Sequence, residues 1–243
     1  MDIKIDTHTH TIASGHAYST IREMAKEASK KNLQALAITE HGPAMSGSCH
    51  DFYFYNLKIV PRKYYGVPLF LGVELNILDE SGEVDIPNHL LAQMDLVIAS
   101  LHKAFFLGGH SEEIYTNAYI NAMKNPYVRI IGHPDDSRCL PDLEKIVIAA
   151  KETDTLLEIN NSSLSPTTFR VGTRDNVVDL LELCKKYKVK VTTGSDAHVD
   201  ERVGAFGKTL EVFNECSFPE ELVVTTDIEK LKPYLGNGRE QSI

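Results

Sequence analysis

Two histidines one residue apart, His8 and His10, follow the apolar Ile3 and Ile5 near the amino terminus. In an extended chain, side chains two apart share a face, so both imidazoles can converge on one cation. Such a pair alone is a weak signal, and imidazole suits zinc, iron, nickel and copper alike. Seven further residues change its meaning: His16, His41, Glu74, His102, His133, Asp196 and His198. At three or four donors per ion, with one carboxylate shared, these nine residues suit two or three metal ions with positions left open for water and substrate. The set contains no thiolate, which argues against a Cys-rich structural zinc. Clustered divalent ions polarise a phosphoryl oxygen, lower the pKa of bound water to near neutral and clamp the attacking and leaving oxygens. The chemistry this predicts is hydrolysis of a phosphate ester by metal-bound hydroxide, with no separate protein nucleophile. His50, His89 and His110 follow no apolar segment and read as ordinary polar histidines.

The elements that must position these donors are visible as short apolar or β-branched runs at 3–5, 35–38, 69–73, 96–99, 128–131, 156–159 and 189–193. Continuous rather than alternating, they predict seven strands of a parallel sheet buried on both faces. Amphipathic stretches lie between several of them. Thr20 and Glu23 form a capping-box pattern ahead of Ile21, Met24, Ala25 and Ala28. Pro141 and Asp142 start a second helix with the stripe Leu143, Ile146, Val147 and Ala150; a third begins near Thr173 and turns Val177, Leu180, Leu181 and Cys184 inward. Residues 42–68 read as aromatic and irregular, residues 75–93 as a small hairpin around Ser81-Gly82, and the tail as a helix over 228–235 with a polar end. His8 and His10 follow the first strand, His41 the second, Glu74 the third, His102 the fourth, His133 the fifth, and Asp196 with His198 the seventh. A closed barrel gathers those carboxyl ends on one rim, whereas an open sheet would string them along a line. The expected fold is therefore α/β: a seven-stranded, TIM-barrel-like barrel of parallel strands.

With 243 residues, 42% of them hydrophobic, one barrel-sized domain spanning residues 1–243 can bury its core. The start lacks a signal-peptide pattern, and no apolar run reaches membrane-spanning length, so a cytoplasmic protein without a membrane partner is expected. Cys49, Cys139, Cys184 and Cys216 are scattered, which suits reduced thiols. A net charge of -9 without a basic cluster argues against nucleic acid as a partner. A small phosphate ester remains compatible, because divalent cations reverse the sign locally. Assembly into a homo-oligomer stays open.

Taken together, His8-x-His10, Ser14-x-His16, Thr39-Glu40-His41-Gly42, Gly72-Val73-Glu74, Ser100-Leu101-His102, Gly132-His133-Pro134 and Gly194-Ser195-Asp196-Ala197-His198 resemble the polymerase and histidinol phosphatase (PHP) superfamily. His16-Ala17-Tyr18-Ser19-Thr20, Glu158-Ile159-Asn160-Asn161-Ser162-Ser163 and the overall size are similar to its YcdX-type phosphatases along most of the chain. The resemblance implies a distorted (β/α)7 barrel and three metal ions, commonly zinc, with manganese or iron in relatives. It implies one ion on His8, His10, Glu74 and Asp196, a second on Glu74, His102 and His133, and a third on His16, His41 and His198. One departure is Glu40, where the family usually has Asp.

The sixth strand supplies no ligand in this scheme, and the loop after it carries Arg170-Val171-Gly172, which resembles an Arg-x-Gly of the YcdX-type group. A guanidinium can grip two phosphate oxygens, so Arg170 is the expected substrate-binding residue, the alternative being a solvated arginine. Asn160-Asn161-Ser162-Ser163 reads equally as a loop cap or as part of the site, and Tyr18, Tyr53, Phe54 and Tyr55 as packing or pocket lining. The expected activity is that of a phosphatase acting on a small phosphate monoester. Alternatives are a histidinol phosphatase, a PHP-type phosphodiesterase or exonuclease, a non-catalytic metal-stabilised binding module and, more distantly, an amidohydrolase, whose usual bridging lysine is replaced here by His102.

Overall fold

The structure is a computed structural model and describes residues 1–236. In chain order its strands are β1 (Ile5–Asp6), β2 (Ala35–His41), β3 (Lys63–Tyr64), β4 (Val67–Asn76), β5 (Leu96–Ser100), β6 (Ile130–Gly132), β7 (Leu156–Asn160) and β8 (Val191–Gly194). Among the described residues seven of them pair in parallel in the order β1-β2-β4-β5-β6-β7-β8, while β3 pairs antiparallel with the start of β4. The helices are α1 (Ile21–Lys30), α2 (Asp51–Asn56), α3 (Asn88–Leu91), α4 (Glu112–Met123), α5 (Leu143–Thr153), α6 (Thr173–Tyr187), α7 (Gly207–Glu215) and α8 (Ile228–Leu231).

Strand periodicity explains how an apolar chain delivers polar groups to one end. On β4, Leu69, Leu71, Val73 and Leu75 face outward into the layer between sheet and helices. The alternate residues Phe70, Gly72 and Glu74 face the interior. Phe70 packs there with Ile5, Ala35, Ala37, Leu96, Ile98, Ile130 and Leu156. The inward file of β4 thus runs from apolar floor to carboxylate rim within five residues. Val224, Leu231 and Tyr234 of the carboxy-terminal segment join the same inner cluster and plug the floor. The interior is therefore sealed below and opens at the carboxyl ends of the strands.

The barrel is nearly closed. Between β8 and β1 the described residues form a single parallel bridge, Thr9 to Ala197, rather than a ladder. Backbone bonds complete the seam: Asp196 N–H donates to His8 O at 2.9 Å and His10 N–H to Ala197 O at 2.9 Å. The seam carries three of the candidate ligands, and its irregular backbone aims them. Asp196 has a left-handed φ of +54° and His133, across the barrel, one of +29°. Non-glycine residues hold such angles only where their surroundings fix them, as they do at functional sites.

Several local expectations change. The first strand is Ile5–Asp6 rather than 3–5, because Lys4 N–H donates to Thr225 O and Lys4 O accepts from Gln34 N–H. The segment 42–68 is more ordered than its composition suggests: it holds α2, a following 3-10 turn Leu57–Ile59 and the hairpin from β3 into β4, turned by Tyr65 and Gly66 at φ +50° and +84°. The hairpin expected near Ser81-Gly82 is present as a bridge between Ile77 and Val84. The tail helix is short, giving way after α8 to the 3-10 turn Lys232–Tyr234, and the polar end lies outside the described residues. Helices α3, α4 and α7 had no clear sequence signal; α4 is buried along much of its surface and so lacks a polar stripe.

Candidate metal centre

Glu74 is the hub of the site. It is fully buried, and its Oε2 lies 2.6 Å from His41 Nδ1, 3.3 Å from His8 Nε2 and 3.5 Å from His10 Nε2. Its Oε1 lies 2.8 Å from His133 Nε2 and 3.5 Å from His102 Nε2. Asp196 Oδ1 extends the cluster, 3.4 Å from His10 Nε2 and 3.6 Å from His198 Nδ1. His198 Nε2 then meets His16 Nε2 at 3.1 Å on the solvent side. All nine candidates from sequence are thus linked. Three groupings bring ligand atoms within 4.8 Å of one another: His8, His10 and Glu74; His41, Glu74 and His102; His10, His41 and His198.

Proton positions decide whether this is a hydrogen-bonded core or a cation site. His8 Nδ1 lies 2.8 Å from the acceptor-only carboxylate of Glu158, so it carries the proton and leaves Nε2 a lone pair. Ser14 Oγ donates its proton to Glu40 Oε2 at 2.6 Å and therefore accepts from His10 Nδ1–H at 3.2 Å, leaving His10 Nε2 a lone pair as well. His102 Nδ1–H donates to Asn76 Oδ1, whose amide nitrogen is committed to Asp85, and His198 Nδ1–H donates to Asp196 O. The lone pairs of His8 Nε2 and His10 Nε2 then face each other at 3.0 Å. Glu74 Oε2 and His41 Nδ1, though close, are both buried without a hydrogen-bond partner. Donor separations of about 3.3 Å are what four-coordinate zinc–nitrogen bonds of about 2.0–2.1 Å would set. Converging lone pairs at this spacing fit a divalent cation.

Charge follows the same logic. Burial pushes His8 toward the neutral form, but Glu158, Glu74 and Asp196 outweigh it and raise its affinity for a second proton well above the usual histidine range; a cation at Nε2 would take that proton's place and leave the one on Nδ1. Burial, with repulsion from His41 and His198, takes His10 well below that range, and burial lowers His41 to about 4 despite Glu74. Burial acts against the charge of Glu74, yet His8, His41 and His102 keep it well below the carboxylate range; His8, His10 and Arg170 do the same for Asp196. Both carboxylates are therefore charged at neutral pH and able to bind a cation.

The residues behind the ligands were only partly legible. Glu158 lies on β7, the strand expected to supply no ligand. Besides orienting His8, its Oε2 accepts the His133 N–H at 2.9 Å and Asn160 Nδ2–H at 3.2 Å. Its signal was a carboxylate at an inward register of an otherwise apolar strand. Gly194 permits the approach, since a Cβ there would fall 2.2 Å from Glu158 Oε1 and 2.5 Å from His8 Cβ. Glu40, the departure from the family pattern, anchors Ser14, Thr11 and the Tyr53 hydroxyl. Ser14→Ala would leave His10 without its acceptor; metal affinity is expected to fall about 10–100-fold with the fold retained. Competition with a chromophoric chelator measures this, and unchanged affinity would refute the Ser14 role.

His50, His89 and His110 stay outside the cluster: the first caps α2, the others bond Tyr55 and Tyr115. Phe54 is core and Tyr18 is 80% exposed. Above the cluster opens a cavity of about 600 Å³, lined by His16, His41, His102, His133, Asp196 and His198 among others. Arg170 reaches it too, but it is 9% exposed rather than solvated. Its guanidinium donates to Asp196 Oδ2 at 3.1 Å, Ser163 Oγ at 3.0 Å and Asn160 Oδ1 at 3.4 Å. Asn160 and Ser163 thus belong to the support of the site.

Fold and site together define an α/β-barrel hydrolase built around a metal-binding histidine and carboxylate cluster. Residues 6–163 match the family model described as the PHP domain. A probable phosphatase of Thermoanaerobacter sp. (strain X514) is 48% identical over 235 residues, covering 97% of this chain and 95% of that protein. A probable phosphatase of Clostridium novyi (strain NT) is 46% identical over 235 residues, with coverage of 97% and 95%. Among solved structures, the histidinol phosphate phosphatase of Lactococcus lactis, complexed with zinc, L-histidinol and phosphate, shares the fold. It matches with a TM-score of 0.62 at 21% identity, covering 89% of this chain and 94% of that one. The chain belongs to the PHP-domain family, and it is an enzyme of that family's phosphatase group.

Proposed function

We propose that the chain, acting as one domain, hydrolyses a small-molecule phosphate monoester with two or three divalent ions at the Glu74 cluster. Zinc is the expected metal, and manganese or iron can serve the same donors. The observation that carries this reading is the convergence of oriented lone pairs on Glu74. His8, His10, Glu74 and Asp196 would hold one ion, Glu74 with His102 and His133 a second, and His16, His41 and His198 a third. When bound, the ions would supply a nucleophile from water at neutral pH and neutralise charge on the phosphoryl oxygens. Glu158, Ser14 and Asn76 hold the imidazoles in the ligating tautomer. Arg170 keeps one edge of its guanidinium on Asp196 and faces the cavity, where it would bind a phosphate oxygen. A thiol nucleophile is disfavoured, because burial pushes Cys49 and Cys139 up to about 12. The cavity size suits a small substrate rather than a nucleic acid strand. Histidinol phosphate is a second candidate, favoured by the shared fold with the Lactococcus enzyme. The four free cysteines suit a cytoplasmic setting, and among the described residues no helix is long and apolar enough to cross a membrane.

The test is hydrolysis of p-nitrophenyl phosphate. Prolonged dialysis against a chelator is expected to reduce it to background, and zinc or manganese to restore it. Full activity after chelation, with metal removal verified, would overturn the reading.

A further inference from the structure

The chain carries an excess of acid, with 34 Asp and Glu against 25 Lys and Arg. Its cavity reverses that balance. Lys103, Arg138, Arg170, Arg202 and Lys208 line it, against the carboxylates of Asp136 and Asp196, with Glu74 beneath. Three of the five cations are engaged: Arg138 with Asp136, Arg170 with Asp196 and Lys208 with Glu211. Lys103 and Arg202 are different. Among the described residues neither side chain has a hydrogen bond or ion pair, and both are exposed. They come from separate loops, Lys103 directly after His102 beyond β5 and Arg202 from the 3-10 turn Asp200–Arg202 beyond β8.

Two uncommitted cations, which tip a cavity of otherwise three cations and three carboxylates to net positive, have a direct consequence for the substrate. A phosphoryl group held by the cluster and the buried Arg170 would direct its leaving group toward the exposed part of the lining, which includes Lys103 and Arg202. We propose that Lys103 and Arg202 form an anion-recognising rim, so that the substrate carries a second negative group, a carboxylate or a further phosphate, on its leaving-group side. The inference rests on the phosphatase reading and narrows its substrate class. The rim favours an anionic leaving group over a neutral one. It disfavours one bearing an ammonium, as histidinol phosphate does, because like charges in a cleft repel and opposite charges there are focused. Phe105 and Phe169 also line the cavity, the latter 72% exposed with the Arg138 guanidinium 5.2 Å from its ring centroid. They give an aryl body apolar surface within the cavity.

A matched aryl series tests this with zinc-replete protein: 4-(2-carboxyethyl)phenyl, 4-ethylphenyl and 4-(2-aminoethyl)phenyl phosphate. The two methylenes insulate the ring, so the leaving groups differ in remote charge far more than in acidity. The expected order of kcat/KM is carboxyethyl above ethyl above aminoethyl, with about tenfold between the extremes, carried by KM and shrinking as salt is raised. In the double variant Lys103→Ala/Arg202→Ala the ratio between anionic and cationic substrates should collapse toward one, zinc content being measured in the same preparation. Equal kcat/KM for the three esters, or a preference that survives in the double variant, would overturn the rim while the phosphatase reading stands. Failure to hydrolyse any of the three would instead remove the phosphatase reading, and the rim with it.

Discussion

Glu74→Gln is expected to lose bound metal and activity together while the barrel remains folded. Among the described residues Glu74 is the one group whose two oxygens face both halves of the histidine set, Oε2 toward His8, His10 and His41 and Oε1 toward His102 and His133. Glutamine preserves the size, so packing around Phe70 and Gly72 on the same strand face need not change. What it removes is the negative charge that offsets two neighbouring cations, and it turns one oxygen into an N–H₂ that points at imidazole lone pairs instead of a metal. A loss of about 4 kcal/mol in transition-state stabilisation, roughly a thousandfold in kcat/KM, is the minimum expected from removing metal assistance. Elemental analysis and a circular dichroism melt on the same sample decide the matter. Full metal occupancy with wild-type kcat/KM would show that Glu74 is a buried ion-pair partner and nothing more.

Arg170→Ala should act on two observables at once. Arg170 is locked against Asp196, Ser163 and Asn160, so truncation leaves Asp196 Oδ2 with only the Asn160 amide at 3.3 Å. Breaking a buried pair by removing one partner costs about 3–5 kcal/mol, which a lowered Tm would register. A bound cation would offset part of that cost by taking up the Asp196 charge. If the guanidinium also grips phosphate, kcat/KM falls by a further 1–3 kcal/mol, about the value of a charged hydrogen bond. Arg170→Lys separates the two roles, because an ammonium restores the charge beside Asp196 but not the planar fork. Recovered Tm with depressed kcat/KM supports phosphate binding; recovery of both assigns Arg170 to holding Asp196.

The ligands were legible because barrel geometry converts sequence into space. Apart from His16, which follows the 3-10 turn Ile12–Ser14, they stand near the carboxyl ends of their strands, as His41 ends β2 and His102 follows β5. The apolar runs that located those strands are the ones that fill the barrel wall. Their ends were less legible, since hydrogen bonds made far away in sequence decide where pairing stops, as Thr225 does at Lys4. The supporting residues were harder still. Glu158 touches His8 across 150 positions, and nothing local to either marks the contact. Arg170 was found in the right loop but read as free to meet phosphate or solvent, because its partner Asp196 sits 26 residues on. The free state of Arg202 is equally invisible in sequence, since it depends on which carboxylates the fold leaves out of reach.

The most direct test of the account is metal content against activity. Protein stripped by chelator and titrated with zinc should gain p-nitrophenyl phosphate hydrolysis until at least two ions are bound per chain, counted by plasma mass spectrometry after removal of free metal. Saturation at one ion or none, or full hydrolysis before metal is added, would contradict it.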